Sequence, residues 1–109
     1  MSGKLEGKTA FVTGASRGIG AAIAKRLAAD GARVAITYSK GADAAAAVVE
    51  TIKDAGGQAI AIQADATDAA AVQSAIDKMV TSFGKLDVLV NNAGTAIPDG
   101  IQDQNTTIG

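Results

Sequence analysis

Thr13-Gly14-Ala15-Ser16-Arg17-Gly18-Ile19-Gly20 is the stretch from which the rest of the chain is best understood. It follows a short apolar run, Thr9-Ala10-Phe11-Val12, and opens into a segment with Ile19, Ile23 and Leu27 at helical spacing. Strand, tight turn, helix start is the context in which such a glycine pattern carries meaning. The first amides of a helix have no internal acceptor, and the helix dipole places partial positive charge beside them. Glycines let the backbone turn sharply there and let an anion approach without meeting a Cβ. An ordinary glycine-rich turn between a strand and a helix is the plainer alternative.

Outward from this turn the chain alternates strand and helix. Strand one is expected at 9–13 and helix one at 18–30, with Gly31 placed to end it. Strand two is Arg33-Val34-Ala35-Ile36-Thr37-Tyr38. Helix two is expected at 43–55, with Val48, Val49 and Ile52 inward, Asp43 suited to the dipole at its start and Gly56-Gly57 stopping it. Strand three is Ala59-Ile60-Ala61-Ile62-Gln63. Helix three is expected from Asp68 to Phe83, capped by Thr67 or Asp68, with Val72, Ile76, Met79, Val80 and Phe83 on one face and Gly84 closing it. Strand four is expected at 86–91. The pattern is βαβαβαβ, an α/β fold whose short connections imply a parallel sheet with right-handed crossovers. The runs in strands two and four are apolar on both faces, as expected of strands covered by helices on both sides.

Composition narrows the chemistry. With 109 residues the chain has room for one domain. Aromatic residues make up 3% and hydrophobic residues 48%, so the core must be built from Ala, Val, Ile and Leu. A net charge of −1 gives no electrostatic case for a nucleic acid or an anionic membrane. The absence of Cys and His removes disulfides, thiolate nucleophiles, imidazole bases and most zinc sites, and no metal is expected. The first eight residues lack a signal-peptide core and no apolar run is long enough to span a membrane, so a cytoplasmic protein is expected.

The glycine spacing departs from the Gly-x-Gly-x-x-Gly fingerprint of dinucleotide sites. Gly14-x-x-x-Gly18-x-Gly20 resembles instead the short-chain dehydrogenase/reductase family. Two further motifs follow in order, each after an apolar run: Asp65 in Ala64-Asp65-Ala66-Thr67-Asp68, and Asn91-Asn92-Ala93-Gly94. The wording of the glycine segment is most similar to the 3-oxoacyl-(acyl carrier protein) reductase branch. The resemblance covers about residues 5–98, the first half of a family member. It implies a three-layer Rossmann-type half with a four-stranded sheet in order 3-2-1-4, helices one and two on one face and helix three on the other. The ligand crevice then falls at the carboxyl ends of strands one and four, where the order reverses.

On that reading Gly14 allows the turn, Ser16 lies within it, and the amides of Gly18, Ile19 and Gly20 hold a pyrophosphate. Sites selecting NAD carry an acid at the end of strand two, for the ribose 2′-hydroxyl. Here that place is Tyr38-Ser39-Lys40, with no acid, and Arg17 stands in the glycine loop. Arg17, Ser39 and Lys40 suit a 2′-phosphate, which points to NADP(H) over NAD(H). Arg17 and Lys40 as plain solvated charges are the alternative. The resemblance gives Asp65, with Ala66 beside it, to the adenine amino group; a turn residue before helix three is the alternative, with Asp68 the better cap. Asn91, Ala93 and Gly94 line the adenosine ribose side, unless the Asn91 side chain ties strand four to its neighbour.

By resemblance the parent reaction is hydride transfer from NADPH to a carbonyl such as a 3-oxoacyl thioester. The family's chemistry uses a Tyr with a Lys four residues later, plus a Ser and an Asn, all from the later half. The sole Tyr is Tyr38, and four residues on stands Ala42, so no catalytic residue is assigned and no activity is expected from this chain alone. The division expected is 1–98 as a truncated NADP-binding domain and 99–109 as a polar, frayed tail outside the resemblance. Without a fifth strand, Leu86-Asp87-Val88-Leu89-Val90 would be an open apolar edge, which predicts a homodimer through strand four. The alternative is that the tail folds back over that edge. Two other functions stay open: a non-catalytic ADP or NADP-binding module, and a structural half-fold that self-assembles.

Overall fold

A computed structural model describes residues 5–15, 18–65, 67–92 and 106–108. In chain order the elements are β1 (Thr9–Val12), α1 (Gly18–Ala29), β2 (Arg33–Tyr38), α2 (Ala42–Asp54), β3 (Gln58–Gln63), α3 (Ala69–Phe83), β4 (Val88–Val90) and β5 (Thr106–Ile108). The sheet is parallel and ordered β3-β2-β1-β4-β5, so the expected 3-2-1-4 arrangement is present with one strand added.

The period of two along β1 divides the core. Ala10 and Val12 point to one face, where Val34 and Ile36 of β2 meet Ala21 and Ala24 of α1 and Val48, Val49 and Ile52 of α2. Phe11 points to the other, with Ala35 and Leu89, against Val72, Ala75, Ile76 and Met79 of α3. The helices therefore lie on the faces the resemblance implies, and β1 is buried along its whole length. Arg33 lies with its guanidinium carbon 5.4 Å from the centroid of the Phe83 ring, closing one end of the α3 layer.

Two helix faces differ from expectation. Ile19 is 74% exposed, and α1 meets the sheet through Gly20, Ala21 and Ala24, with Ile23 and Leu27 half-buried. Residues four apart drift around a helix of 3.6 residues per turn, and small side chains let the backbone come closest to the sheet. In α3 the buried residues are Val72, Ala75, Ile76 and Met79, and Val80 turns outward. Asp68 is the cap of α3: its Oδ1 accepts from the amides of Ala70 at 3.0 Å and Ala71 at 3.4 Å.

The outer side of β4 is not an open edge. Val88, Leu89 and Val90 pair with Thr106, Thr107 and Ile108 of β5, within the stretch expected to fray. Unpaired amides and carbonyls on an apolar strand are costly, and a later part of the same chain satisfies them. The ground for a homodimer through β4 is thereby removed. At the other end of the β1/β4 pair, Asp87 Oδ2 accepts from the Thr9 amide at 2.9 Å and lies 3.3 Å from Lys85 Nζ. No helix among the described residues is long and apolar enough to cross a membrane.

Candidate functional site

The turn between β1 and α1 is built from its neighbours. β1 ends at Val12, in register with Ile36 of β2 and Val90 of β4. The Thr13 amide donates to the Val90 carbonyl at 3.1 Å, and the Thr13 hydroxyl is shared between that carbonyl at 3.5 Å and Asn91 Oδ1 at 3.4 Å. The backbone then reverses at Gly14, at φ +64°. Its N–H donates to Thr37 Oγ1 at 3.1 Å, and the Ala15 N–H donates to the Thr37 carbonyl at 3.1 Å. The Gly14 carbonyl accepts from Asn92 Nδ2 at 3.2 Å. The turn is thus held on one side by the end of β2 and on the other by the end of β4.

Gly20 explains the third glycine. A Cβ there would stand 2.6 Å from the Gly14 carbonyl oxygen, 2.6 Å from Asn92 Nδ2 and 3.0 Å from the Ala15 Cα. The first turn of α1 lies directly on the glycine turn, and only a residue without a side chain fits. Gly18, at φ +64°, is the opposite case: a Cβ built on it has nothing within 4 Å. A helix start with no acidic residue in its first turn suits an anion. The residues present fit a diphosphate.

The other candidate residues divide as follows. Ile19 sits at the start of α1 with its side chain in solvent, which leaves its amide role intact and removes its core role. Ser39 and Lys40 are exposed just beyond β2, and the Ser39 carbonyl accepts from Gln63 Nε2 at 3.4 Å. Asp65, just beyond β3, accepts at Oδ1 from the Thr67 hydroxyl at 2.7 Å and the Thr67 amide at 2.9 Å. Those two bonds, the hydroxyl first, hold its carboxyl below the usual carboxylate range. Its backbone carbonyl also accepts from the Asp68 amide, so Asp65 shapes the turn before α3. Asn91 ties the end of β4 to Thr13 of the neighbouring segment, the second of the two roles open to it. Ser16, Arg17, Ala66, Ala93 and Gly94 lie outside the described residues. The sequence reading placed Thr37 in strand two and Asn92 in the second motif but gave neither a role; a lone hydroxyl residue near the end of an apolar strand was the available signal for Thr37.

A cavity of about 460 Å³ lies at the other end of the sheet, lined by Glu6, Lys25, Arg33, Ile52 and Gly57 among others. The carboxyl ends of α1 and α2 surround it, and helix carbonyls carry the wrong sign for a phosphate. The glycine turn is therefore the better candidate.

Parallel strands in this order, with a glycine turn leading from β1 into a helix beside the end of β4, define the Rossmann-type class of α/β domain. Within that class, the chain belongs to the short chain dehydrogenase family, whose model matches residues 8–107. An uncharacterised oxidoreductase of Methylorubrum extorquens is 58% identical over 91 residues, 84% of this chain and 37% of that protein. The 3-oxoacyl-(acyl-carrier-protein) reductase FabG of Staphylococcus aureus is 54% identical over 87 residues, 80% of this chain and 35% of that protein. Among solved structures, a dehydrogenase/reductase from Sinorhizobium meliloti superposes with TM-score 0.80 at 61% identity, covering 81% of this chain and 35% of that one. A short chain dehydrogenase from Burkholderia cenocepacia in complex with NADP gives TM-score 0.81 at 60% identity, covering 92% of this chain and 41% of that one. The chain spans well under half the length of each of these proteins.

Proposed function

We propose that these residues are the nucleotide-binding part of an NADP(H)-dependent short-chain oxidoreductase that reduces a carbonyl, with a 3-oxoacyl thioester as the leading substrate class. The observation that carries the reading is the glycine turn itself. It leads into the start of α1 at the reversal point of the sheet, and Gly20 has no room for a side chain. The Staphylococcus aureus reductase supports the substrate class, and the NADP-bound Burkholderia structure supports the cofactor.

The amides of Gly18, Ile19 and Gly20 would bind the diphosphate, and Asp65 would take the adenine amino group with whatever capacity Thr67 leaves. Arg17, Ser39 and Lys40 would receive the 2′-phosphate, since the end of β2 offers no carboxylate to a free 2′-hydroxyl. When bound, the nicotinamide supplies a hydride. Calorimetric titration of the 109-residue chain with NADPH and with NADH tests the reading. Tighter binding of NADPH is expected, and equal affinity for the two would remove the argument from β2.

A second reading has its own observation. The single tyrosine, Tyr38, closes β2 on the adenosine side, and residue 42 is Ala, so the Tyr-x-x-x-Lys pair is not in this chain. On this reading the 109 residues would bind a nucleotide and do no chemistry by themselves. NADPH oxidation with a 3-oxoacyl thioester should not exceed background; turnover proportional to chain concentration would overturn this.

A further inference from the structure

We infer that Thr37 is a positioning residue for the diphosphate: it sets where the glycine turn stands relative to the end of β2. The inference rests on the nucleotide-binding reading above. Thr37 is 1% exposed in a strand whose other buried residues are Val34, Ala35 and Ile36. It holds two consecutive amides of the turn, the Gly14 N–H on its hydroxyl oxygen and the Ala15 N–H on its carbonyl, both at 3.1 Å. The carbonyl contact is available to any residue at this place. The hydroxyl contact is available only to a side chain with an acceptor bonded directly to Cβ, as in threonine and serine, and valine has the same shape as threonine without it.

The geometry gives the contact a purpose beyond satisfying a buried hydroxyl. Gly14 is the residue at which the chain reverses, and its peptide groups are gripped from both flanks. The Thr37 hydroxyl accepts from the Gly14 N–H on the β2 side, and Asn92 Nδ2 donates to the Gly14 carbonyl from the β4 side at 3.2 Å. Gly20 makes the second grip possible, because a Cβ there would stand 2.6 Å from both Asn92 Nδ2 and the Gly14 carbonyl oxygen that it meets. The two grips fix the turn from both sides of β1, one from β2 and one from the end of β4. One and two residues beyond Thr37 the chain reaches Tyr38 and Ser39, then Lys40. Thr37 therefore sets the distance between the helix amides that would meet a diphosphate and the β2 end that would meet a 2′-phosphate. A ligand carrying both groups senses that distance; a ligand carrying the 2′-phosphate alone does not.

The test compares two ligands on three chains: NADPH and adenosine 2′-monophosphate, titrated into the parent chain, Thr37→Val and Thr37→Ser. For Thr37→Val, NADPH affinity is expected to fall about tenfold, the size of one lost hydrogen bond at a charged ligand site. Its affinity for adenosine 2′-monophosphate should stay within about twofold of the parent, since no diphosphate contact is involved. Thr37→Ser keeps the acceptor and should restore NADPH binding. A valine chain that binds NADPH like the parent overturns the inference, and so does an equal loss for both ligands, which marks general loosening of the fold. If the valine chain does not fold, Asn92→Ala on the exposed flank releases the other grip, and the same selective loss of NADPH is expected; no loss there overturns the inference. A parent chain that binds neither ligand defeats the nucleotide-binding reading itself, a result distinct from the other outcomes.

Discussion

Gly20 and Asp87 show how much a single position decides. A methyl group at position 20 would meet two backbone neighbours, the Gly14 carbonyl and the Ala15 Cα, and neither can swing aside as a side-chain end can. Gly20→Ala is expected to push α1 off the turn and cost about 1–3 kcal/mol, the usual range for overpacking. Urea unfolding should show a lower midpoint with an unchanged slope. Asp87 is a different kind of constraint. Partial burial opposes its ionisation, but the Thr9 amide and the neighbouring Lys85 outweigh that and hold its carboxyl below the ordinary value of 3.8. A group lowered on folding contributes stability that is fully present above the unfolded value and is lost as pH falls through the folded one. Asp87→Asn should therefore flatten the loss of stability below about pH 4, where an unfolded Asp takes up its proton. Asp65, held low by Thr67, leaves a residual slope in the same direction. Thermal melts of both chains from neutral to acid pH check the sign; an unchanged acid limb would show that Asp87 is not linked to folding.

At the scale of elements, α3 depends on its first turn. The Asp68 carboxylate takes two amides that have no partner inside the helix. Asp68→Ala should cost about 1 kcal/mol, and Asp68→Ser should recover most of it. Denaturant midpoints of the two chains measure the difference. The three helices and strands β1 to β4 were legible because each helix stops at a glycine and each of those strands lies in a short, mostly apolar run, and β2 in particular runs from Arg33 to Tyr38 as its residues indicate. Which side of a helix meets the sheet was less legible. Ile19 and Val80 carry large apolar side chains at plausible spacing, yet both face outward. The spacing cannot reveal that Gly20, Ala21 and Ala24 let α1 come close enough to bury its small face. The site was legible as a motif, through Gly14, Gly18 and Gly20. It was not legible as a mechanism of positioning, because the contacts from Thr37 and Asn92 join positions 23 and 78 residues apart from Gly14.

For the whole molecule the informative element is β5. Its stretch is polar and without period, and nothing in Thr106-Thr107-Ile108 predicts a strand. Its pairing follows from the open side of β4, a property of the assembled sheet. A proline placed at Thr107 removes one ladder donor and should loosen β5 from β4. The uncovered Val88-Leu89-Val90 edge should then associate with other copies. Sedimentation velocity over a range of concentrations is expected to show self-association for Thr107→Pro beyond that of the parent chain. Equal behaviour of the two would mean that the β4 edge is not adhesive once exposed.

The chain contains one tyrosine and no tryptophan, and that tyrosine, Tyr38, is half-buried at the strand end next to Ser39 and Lys40. Tyrosine emission from this chain therefore originates at a single place, the end of β2. Quenching or enhancement of that emission on adding a non-absorbing phosphate compound would report occupancy there directly, with no dye attached and no residue replaced.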